Sequence, residues 1–391
     1  MTVILIPANS PFGLDNLPYG VFSAGAQPPR VGVRVGDFVL DLSVVLRDET
    51  FSVPSLNTFM AAGPSRWAEV RAAITAAAAT DLPPDAVHSA ADVVLHLPFE
   101  VADYVDFYAS QHHAANLGRL LRPGAEPLLP NWKHLPVGYH GRAGTVVVSG
   151  TSIARPSGQR KAAADPAPVF GPSQRLDIEA ELGFVVGAGS PAGQPVSVAE
   201  FGRHVFGVVL VNDWSARDIQ AWEYQPLGPH LGKSFATSVS PWVVPLAALE
   251  AARVPGPEQD PEPLPYLRQG APWGLDIELS VAWNGVEVSR PPYRHMYWSP
   301  AQMLAHMTVN GASTRTGDLF ASGAISGPDR AQAGSFIELT WGGSEPVTLN
   351  GLERGFLLDG DEVVITATAP GAGGGRISLG EVRGTIRPGR R

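Results

Sequence analysis

The chain contains no cysteine among its 391 residues. Disulfides and zinc–thiolate centres are therefore excluded, and a cytoplasmic address is permitted. A basic stripe is also missing: 28 Lys and Arg stand against 37 Asp and Glu, a net charge of −9. That balance argues against nucleic acid as a partner. The longest buried-looking apolar run, Val205 to Val211, is far too short to span a bilayer. The start, MTVILIPANSPFG, has a short apolar run with no basic leader, so it does not read as a signal peptide. The expectation is a soluble, cytoplasmic protein with neither membrane nor nucleic acid as a partner.

Several common catalytic words are absent too. No Gly-x-Ser-x-Gly occurs, so a serine-hydrolase elbow has no support. Gly228-Pro-His-Leu-Gly-Lys-Ser has three residues between its glycines where a phosphate-binding loop needs four, and Pro229 removes one cradle N–H. Gly371-Ala-Gly-Gly-Gly has neither the spacing nor the context of a dinucleotide fingerprint and reads as a turn.

What is present begins with a hydrophobic content of 44%, enough for a packed core. The 43 Gly and 37 Pro are scattered, which predicts many turns and short strands. Residues 1–98 read as a small N-terminal domain, with a hairpin around Gly36-Asp37 and a helix over Trp67 to Ala79. Residues 99–391 read as a larger, mainly β domain. Its expected strands are Val146 to Val148, Leu176 to Val186, Val205 to Asn212, Leu275 to Trp283 and Phe336 to Trp341, with two more around Asp359-Gly360. Asp106 to Leu121 and Ser215 to Glu223 read as helices, with Ser215 as an N-cap and Asp218 completing a box-like pattern. The Pro-rich stretch Val254 to Pro265 reads as an exposed insertion.

Four carboxylates stand out: Asp106, Glu179, Glu181 and Asp213. On a strand Glu179 and Glu181 share a face, about 7 Å apart by strand rise. They repel unless a cation lies between them; taken alone, a solvated edge strand is the plainer explanation. With no thiolate available, oxygen ligands point to a hard cation, Ca²⁺ or Mg²⁺. Arg217, Gln220 and Tyr224 fall at i, i+3 and i+7, placing a cation, an amide and a phenol on one helix face beside Asp213. Asp106 and His113, seven apart, share a face if their segment is helical, which sets an imidazole base near a ligand. Lys233 reads as a cation for an anionic intermediate, or as an ordinary surface lysine. The set suits a substrate that chelates a metal through two oxygens and develops enolate charge, as a 1,3-diketone or β-keto acid does.

Longer words carry a resemblance. Asn16-Leu-Pro-Tyr-Gly-Val-Phe-Ser, Asp103-Tyr-Val-Asp-Phe-Tyr, Pro130-Asn-Trp-Lys-His-Leu-Pro-Val-Gly-Tyr-His-Gly-Arg, Asn212-Asp-Trp-Ser-Ala-Arg-Asp-Ile-Gln, Pro226-Leu-Gly-Pro and Leu357-Leu-Asp-Gly-Asp-Glu-Val run over nearly the whole chain. Together they closely resemble the fumarylacetoacetate hydrolase family. The resemblance implies an SH3-like N-terminal barrel over 1–98 and a catalytic β-roll over 99–391, assembled as a homodimer. It implies metal-dependent hydrolysis of 4-fumarylacetoacetate, a small diketo acid, to fumarate and acetoacetate, the last step of tyrosine and phenylalanine catabolism. A related acylpyruvate-type oxo-acid hydrolase, decarboxylase or isomerase is the alternative.

Position by position, the resemblance implies that Asp106, Glu179, Glu181 and Asp213 ligate Ca²⁺ or Mg²⁺, with Lys233 and Thr237 near a second, Mg²⁺-type site. His113 matches the base that activates water and Glu338 the carboxylate that orients it. Arg217, Gln220 and Lys233 match groups that stabilise the oxyanion and carbanion. Tyr108, Arg122, Tyr139, Gln220 and Tyr224 match substrate contacts. One word departs: the family's Gly-Thr-Ile-Ser reads Gly323-Ala324-Ile325-Ser326 here. The missing hydroxyl is expected to contact a substrate carboxylate, a loss of about 1 kcal/mol. A second departure is smaller: the family's Gly-Thr before Ser-Pro-Trp reads Ala236-Thr237.

Overall fold

The computed structural model describes residues 4, 6–7, 9–162 and 164–389. The apolar start Met1 to Leu5 lies outside the described residues except for Ile4. Strands outnumber helices, so the chain is mainly β. A 13-stranded sheet dominates. It opens with Val87–Ser89, Phe38–Asp41, Arg30–Val35 and Tyr19–Ala24, crosses to Trp242–Pro245, and continues through Val205–Asp213, Ala180–Val186, Leu319–Ala321 and Tyr104–Phe107 to Gly138–His140. The path is open: among the described residues no barrel closes. A five-stranded sheet built on Glu278–Trp283, Glu362–Pro370 and Arg376–Arg387 packs beside it.

The N-terminal strands continue the main sheet through the Tyr19↔Val243 and Gly20↔Trp242 pairs. One apolar cluster mixes Tyr19, Val33 and Phe59 with Phe206, Val209, Val243 and Leu319. The expected hairpin turns at Gly36, whose φ of 57° favours a residue without Cβ. The expected helix spans Pro64–Ala78 and buries Val70 and Ile74. No helix among the described residues is long and apolar enough to cross a membrane.

Five expectations are corrected. Asp106 is not helical: it lies on Tyr104–Phe107, paired in parallel with Leu319–Ala321, and the helix begins only at Gln111. Alternating aromatic and β-branched residues favour the strand, and Ser110 caps the helix by accepting from the His113 N–H. Ser215 is no N-cap: it pairs with Asp177, and the helix Arg217–Glu223 starts without a side-chain cap. Asp218 instead accepts from the Ser173 hydroxyl and the Gln174 N–H.

Phe336–Leu339 is a helical turn rather than a strand, because the Asp177 carboxylate accepts from the N–H groups of Phe336 and Ile337. Leu176 to Val186 breaks into Leu176–Asp177 and Ala180–Val186. Only the second strand expected around Asp359-Gly360 forms, as Glu362–Pro370; Leu357 keeps a single bridge to Leu176.

Candidate active site

Neighbouring strands deliver the carboxylates. Asp213 ends Val205–Asp213 and sits opposite Thr237, while Glu181 sits opposite Val211 on the adjacent strand. Glu179 is fixed just before that strand, where its carbonyl accepts from the Asp213 N–H at 3.0 Å. Asp106 comes from Tyr104–Phe107, opposite Tyr139. One oxygen from each of Asp106, Glu179, Glu181 and Asp213 lies within 4.8 Å of the others. All four side chains are buried inside the sheet, so the solvated edge strand is excluded.

The donor set has the character of a cation site. Asp106 Oδ1 and Glu181 Oε1 are buried with no hydrogen-bond partner. Such orphaned carboxylate oxygens carry a full desolvation cost unless a cation meets them. Burial, with the repulsion of the neighbouring acids, pushes the carboxyls of Asp106 and Glu181 well above the usual range, and Asp213 is pushed up as well. Glu179 goes the other way: burial opposes its charge, but Lys233, Arg217 and His113 together hold it well below the usual range. Oxygen donors of this kind fit a hard divalent cation.

Lys233 is buried here rather than at the surface. Its ammonium contacts Asp213, reaches Glu179 Oε2 at 2.9 Å and Asp106 at 4.0 Å, and these acids hold it charged against the cost of burial. Gly232 makes this approach possible, since a Cβ there would meet the Gln220 backbone nitrogen at 2.8 Å. Thr237 donates to Asp213 Oδ1 at 2.7 Å, and the Tyr139 hydroxyl lies 3.4 Å from Asp213 Oδ2.

His113 stands at the edge of the cluster. Its Nδ1 is 2.6 Å from Glu338 Oε2, and its Nε2 is 3.7 Å from Glu179 Oε1. Glu338 is fully occupied: the side chains of Asn116, Ser326 and Ser335 donate to it at 3.0, 3.0 and 2.7 Å. Burial raises its carboxyl, but His113 and these donors outweigh that and keep it below the usual range. An ionised Glu338 on Nδ1 leaves Nε2 as the nitrogen that faces the cluster.

The Arg217 guanidinium is spread over Asp177, Glu179 and Gln220, at 2.7, 2.7 and 3.1 Å. Gln220 and Tyr224 line a small cavity with Arg217, Leu117, Leu121 and Ile337. Tyr108 packs edge-on to the His113 ring at 5.3 Å. Arg122 follows the helix Gln111–Leu121 and donates to the Pro127 carbonyl at 2.9 Å. Ala324 is buried without a polar side-chain atom; its neighbour Gly323, at φ 75°, donates its N–H to Glu181 Oε2 at 3.1 Å.

Asp177 is the residue the sequence reading missed. It is fully buried, holds Arg217 and caps the turn that carries Glu338. The signal was present: Asp177, Glu179 and Glu181 alternate with apolar residues, and the first belongs to the set as much as the others. Asn116 had a signal as well, three residues beyond His113 on one helix face. Ser326 and Ser335 had none in the local pattern.

Two family descriptions match: "Fumarylacetoacetase N-terminal" over residues 15–98 and "Fumarylacetoacetate (FAA) hydrolase C-terminal" over residues 103–387. The chain is 47% identical to the fumarylacetoacetase of Homo sapiens, with 99% of each chain covered. It is 42% identical to that of Arabidopsis thaliana, covering 98% of this chain and 97% of the relative. Among solved structures, the fumarylacetoacetate hydrolase of psychrophilic Exiguobacterium antarcticum aligns with a TM-score of 0.59 at 18% identity, covering 95% of this chain and 99% of that one. Maleylpyruvate hydrolase from Sphingobium sp. SYK-6 aligns at 0.55 and 15%, covering 95% and 100%. At such identities the solved structures speak for the fold alone.

Proposed function

The chain belongs to the fumarylacetoacetate hydrolase family, and from that premise we propose that it hydrolyses the carbon–carbon bond of 4-fumarylacetoacetate to give fumarate and acetoacetate. The observation that carries this reading is the juxtaposition of His113–Glu338 with the buried carboxylate cluster, in a chain 47% identical to a fumarylacetoacetase over 99% of both lengths.

Asp106, Glu179, Glu181 and Asp213 would hold Ca²⁺ or Mg²⁺, a reading supported by the all-oxygen donor set and its orphaned oxygens. Such a cation would supply Lewis acidity toward the oxygens of a 1,3-diketone. His113 is the base: Nε2 takes a proton from water, and Glu338 steadies the charged ring through Nδ1. Hydroxide adds to the carbonyl on the fumaryl side. The carbon–carbon bond then breaks, its electron pair leaves with acetoacetate, and the proton gained by His113 balances the new carbanion. Lys233, Arg217 and Gln220 stabilise the negative charge; Arg217 does so mainly by fixing Glu179 and Gln220. Tyr108, Arg122, Tyr139 and Tyr224 contact substrate around these groups, and Thr237 braces Asp213. Ala324 leaves the substrate one hydroxyl contact fewer than the family pattern.

The same reading has residues 1–98 as an SH3-like barrel and 99–391 as a β-roll; the two family descriptions, which stop at 98 and start at 103, support the boundary between them. It has the protein working as a cytoplasmic homodimer in tyrosine and phenylalanine breakdown, supported by chain-long similarity to fumarylacetoacetases. A competition assay between fumarylacetoacetate and acylpyruvates tests the substrate. Preference for fumarylacetoacetate is expected, and a higher kcat/KM for an acylpyruvate would overturn the assignment. Reaction in H₂¹⁸O tests the step, with label expected in fumarate; label confined to acetoacetate contradicts addition at the fumaryl carbonyl.

A further inference from the structure

We propose that Arg142, assisted by His230, forms an outer subsite that binds one terminal carboxylate of the diacid substrate, a deepening that rests on the hydrolase reading above. A cavity of about 360 Å³ opens beside the carboxylate cluster, lined by Tyr139, His140, Arg142, His230, Lys233 and Ser234, with glycine, alanine and proline between them. Tyr139 and Lys233 form its inner wall, and both reach Asp213. Two residues of the cavity wall therefore border the carboxylate cluster.

Its lining holds no Asp or Glu, in a protein whose net charge is −9. The cations in it divide by what they already touch. Lys233 is committed to the buried acids and His140 lies 3.6 Å from Asp103. Arg142 has no ion pair and no side-chain hydrogen bond among the described residues, while its carbonyl is anchored by the Thr145 hydroxyl at 3.1 Å. The His230 ring likewise has no hydrogen bond among the described residues, and its backbone N–H is fixed by Glu223 at 3.2 Å. Both backbones are thus held while both side chains remain available to an anion.

A guanidinium suits a carboxylate because it offers two parallel donors. The substrate is a linear diacid, so when its diketone reaches the cluster its carboxylates must extend away from four buried acids. The cavity offers a carboxylate-free, cationic way out. Arg122 does not line this cavity.

The experiment compares Arg142→Gln, Arg142→Lys and His230→Gln with the metal-loaded wild-type enzyme, on fumarylacetoacetate and on a diketo-acid analogue lacking the far carboxylate. Wild-type turnover of fumarylacetoacetate tests the underlying reading separately. For Arg142→Gln a rise in KM of about tenfold or more on the diacid is expected, from loss of one charge-assisted hydrogen-bonded pair, with kcat little changed. Arg142→Lys should recover part of it, and His230→Gln should raise KM by a smaller factor. On the monoacid analogue none of the variants should differ from wild type. Equal losses on both substrates, an effect confined to kcat, or unchanged KM on the diacid would each overturn the subsite.

Discussion

The two halves of the site differ in how completely the protein satisfies them. Around Glu338 both carboxylate oxygens are answered: three donors besides the imidazole reach them, and the helix that carries His113 is capped by Ser110. Around Asp106 and Glu181 the reverse holds, with one buried oxygen on each left without a partner. The first half is preorganised by hydrogen bonds alone. The second is short of positive charge, since among the described residues Lys233 is the only ammonium touching the four acids and Arg217 is shared with Asp177. On the proposed reading a cation would complete the second half and leave the first unchanged, although Nε2 and Glu179 are only 3.7 Å from each other.

This contrast can be broken from either side. Replacing Glu338 by Gln keeps the shape but removes the charge that steadies the imidazolium. We expect kcat to fall about 10- to 100-fold, with cation affinity measured by calorimetry unchanged. A parallel loss of cation affinity would mean that the halves are not separable. Replacing Asp177 by Asn strikes the joint between them, since its carboxylate holds Arg217 and the turn bearing Glu338. Breaking such a buried pair is expected to destabilise the fold by about 3–5 kcal/mol in chemical denaturation. Wild-type stability in this variant would remove Asp177 from its bracing role.

The smallest expected effect sharpens the comparison through pH. Asp106, Glu181 and Asp213 have raised folded-state carboxyls, so the metal-free folded protein binds more protons than the unfolded chain above the usual carboxylate range. Their contribution is fully present below the unfolded value and is lost as pH rises through the folded one. Glu179 and Glu338 are depressed, so their contribution is present above the unfolded value and lost as pH falls through the folded one. The gain in Tm on adding Ca²⁺ or Mg²⁺ should therefore grow from mildly acidic to neutral pH, because protons compete with the cation. A gain that shrinks over that range contradicts the charge deficit.

The four carboxylates were legible in the sequence because residue type alone limits what they can bind. Their convergence was not, since it depends on pairings such as Ala321↔Asp106 between residues 215 apart in sequence. The same limit explains the errors. Phe336–Leu339 reads as a strand by composition and is turned into a helix by Asp177, some 160 residues away, whose oxygens answer its free N–H groups. Asp106 was assigned to the helix that follows because the text runs on without a proline, and only the cap at Ser110 marks the change. Local pattern carried the Gly36 hairpin and the helix Pro64–Ala78, where no distant group decides the outcome.

The most direct test of the divided site is His113→Ala, followed by loss of fumarylacetoacetate absorbance with Ca²⁺ or Mg²⁺ present and again after chelation, with cation binding measured on the same protein. Wild-type activity should vanish on chelation and return with the cation. The variant should lose about 10²- to 10⁴-fold in kcat while binding the cation as wild type does. Near wild-type turnover in His113→Ala, or turnover that survives chelation in the wild type, would contradict the account.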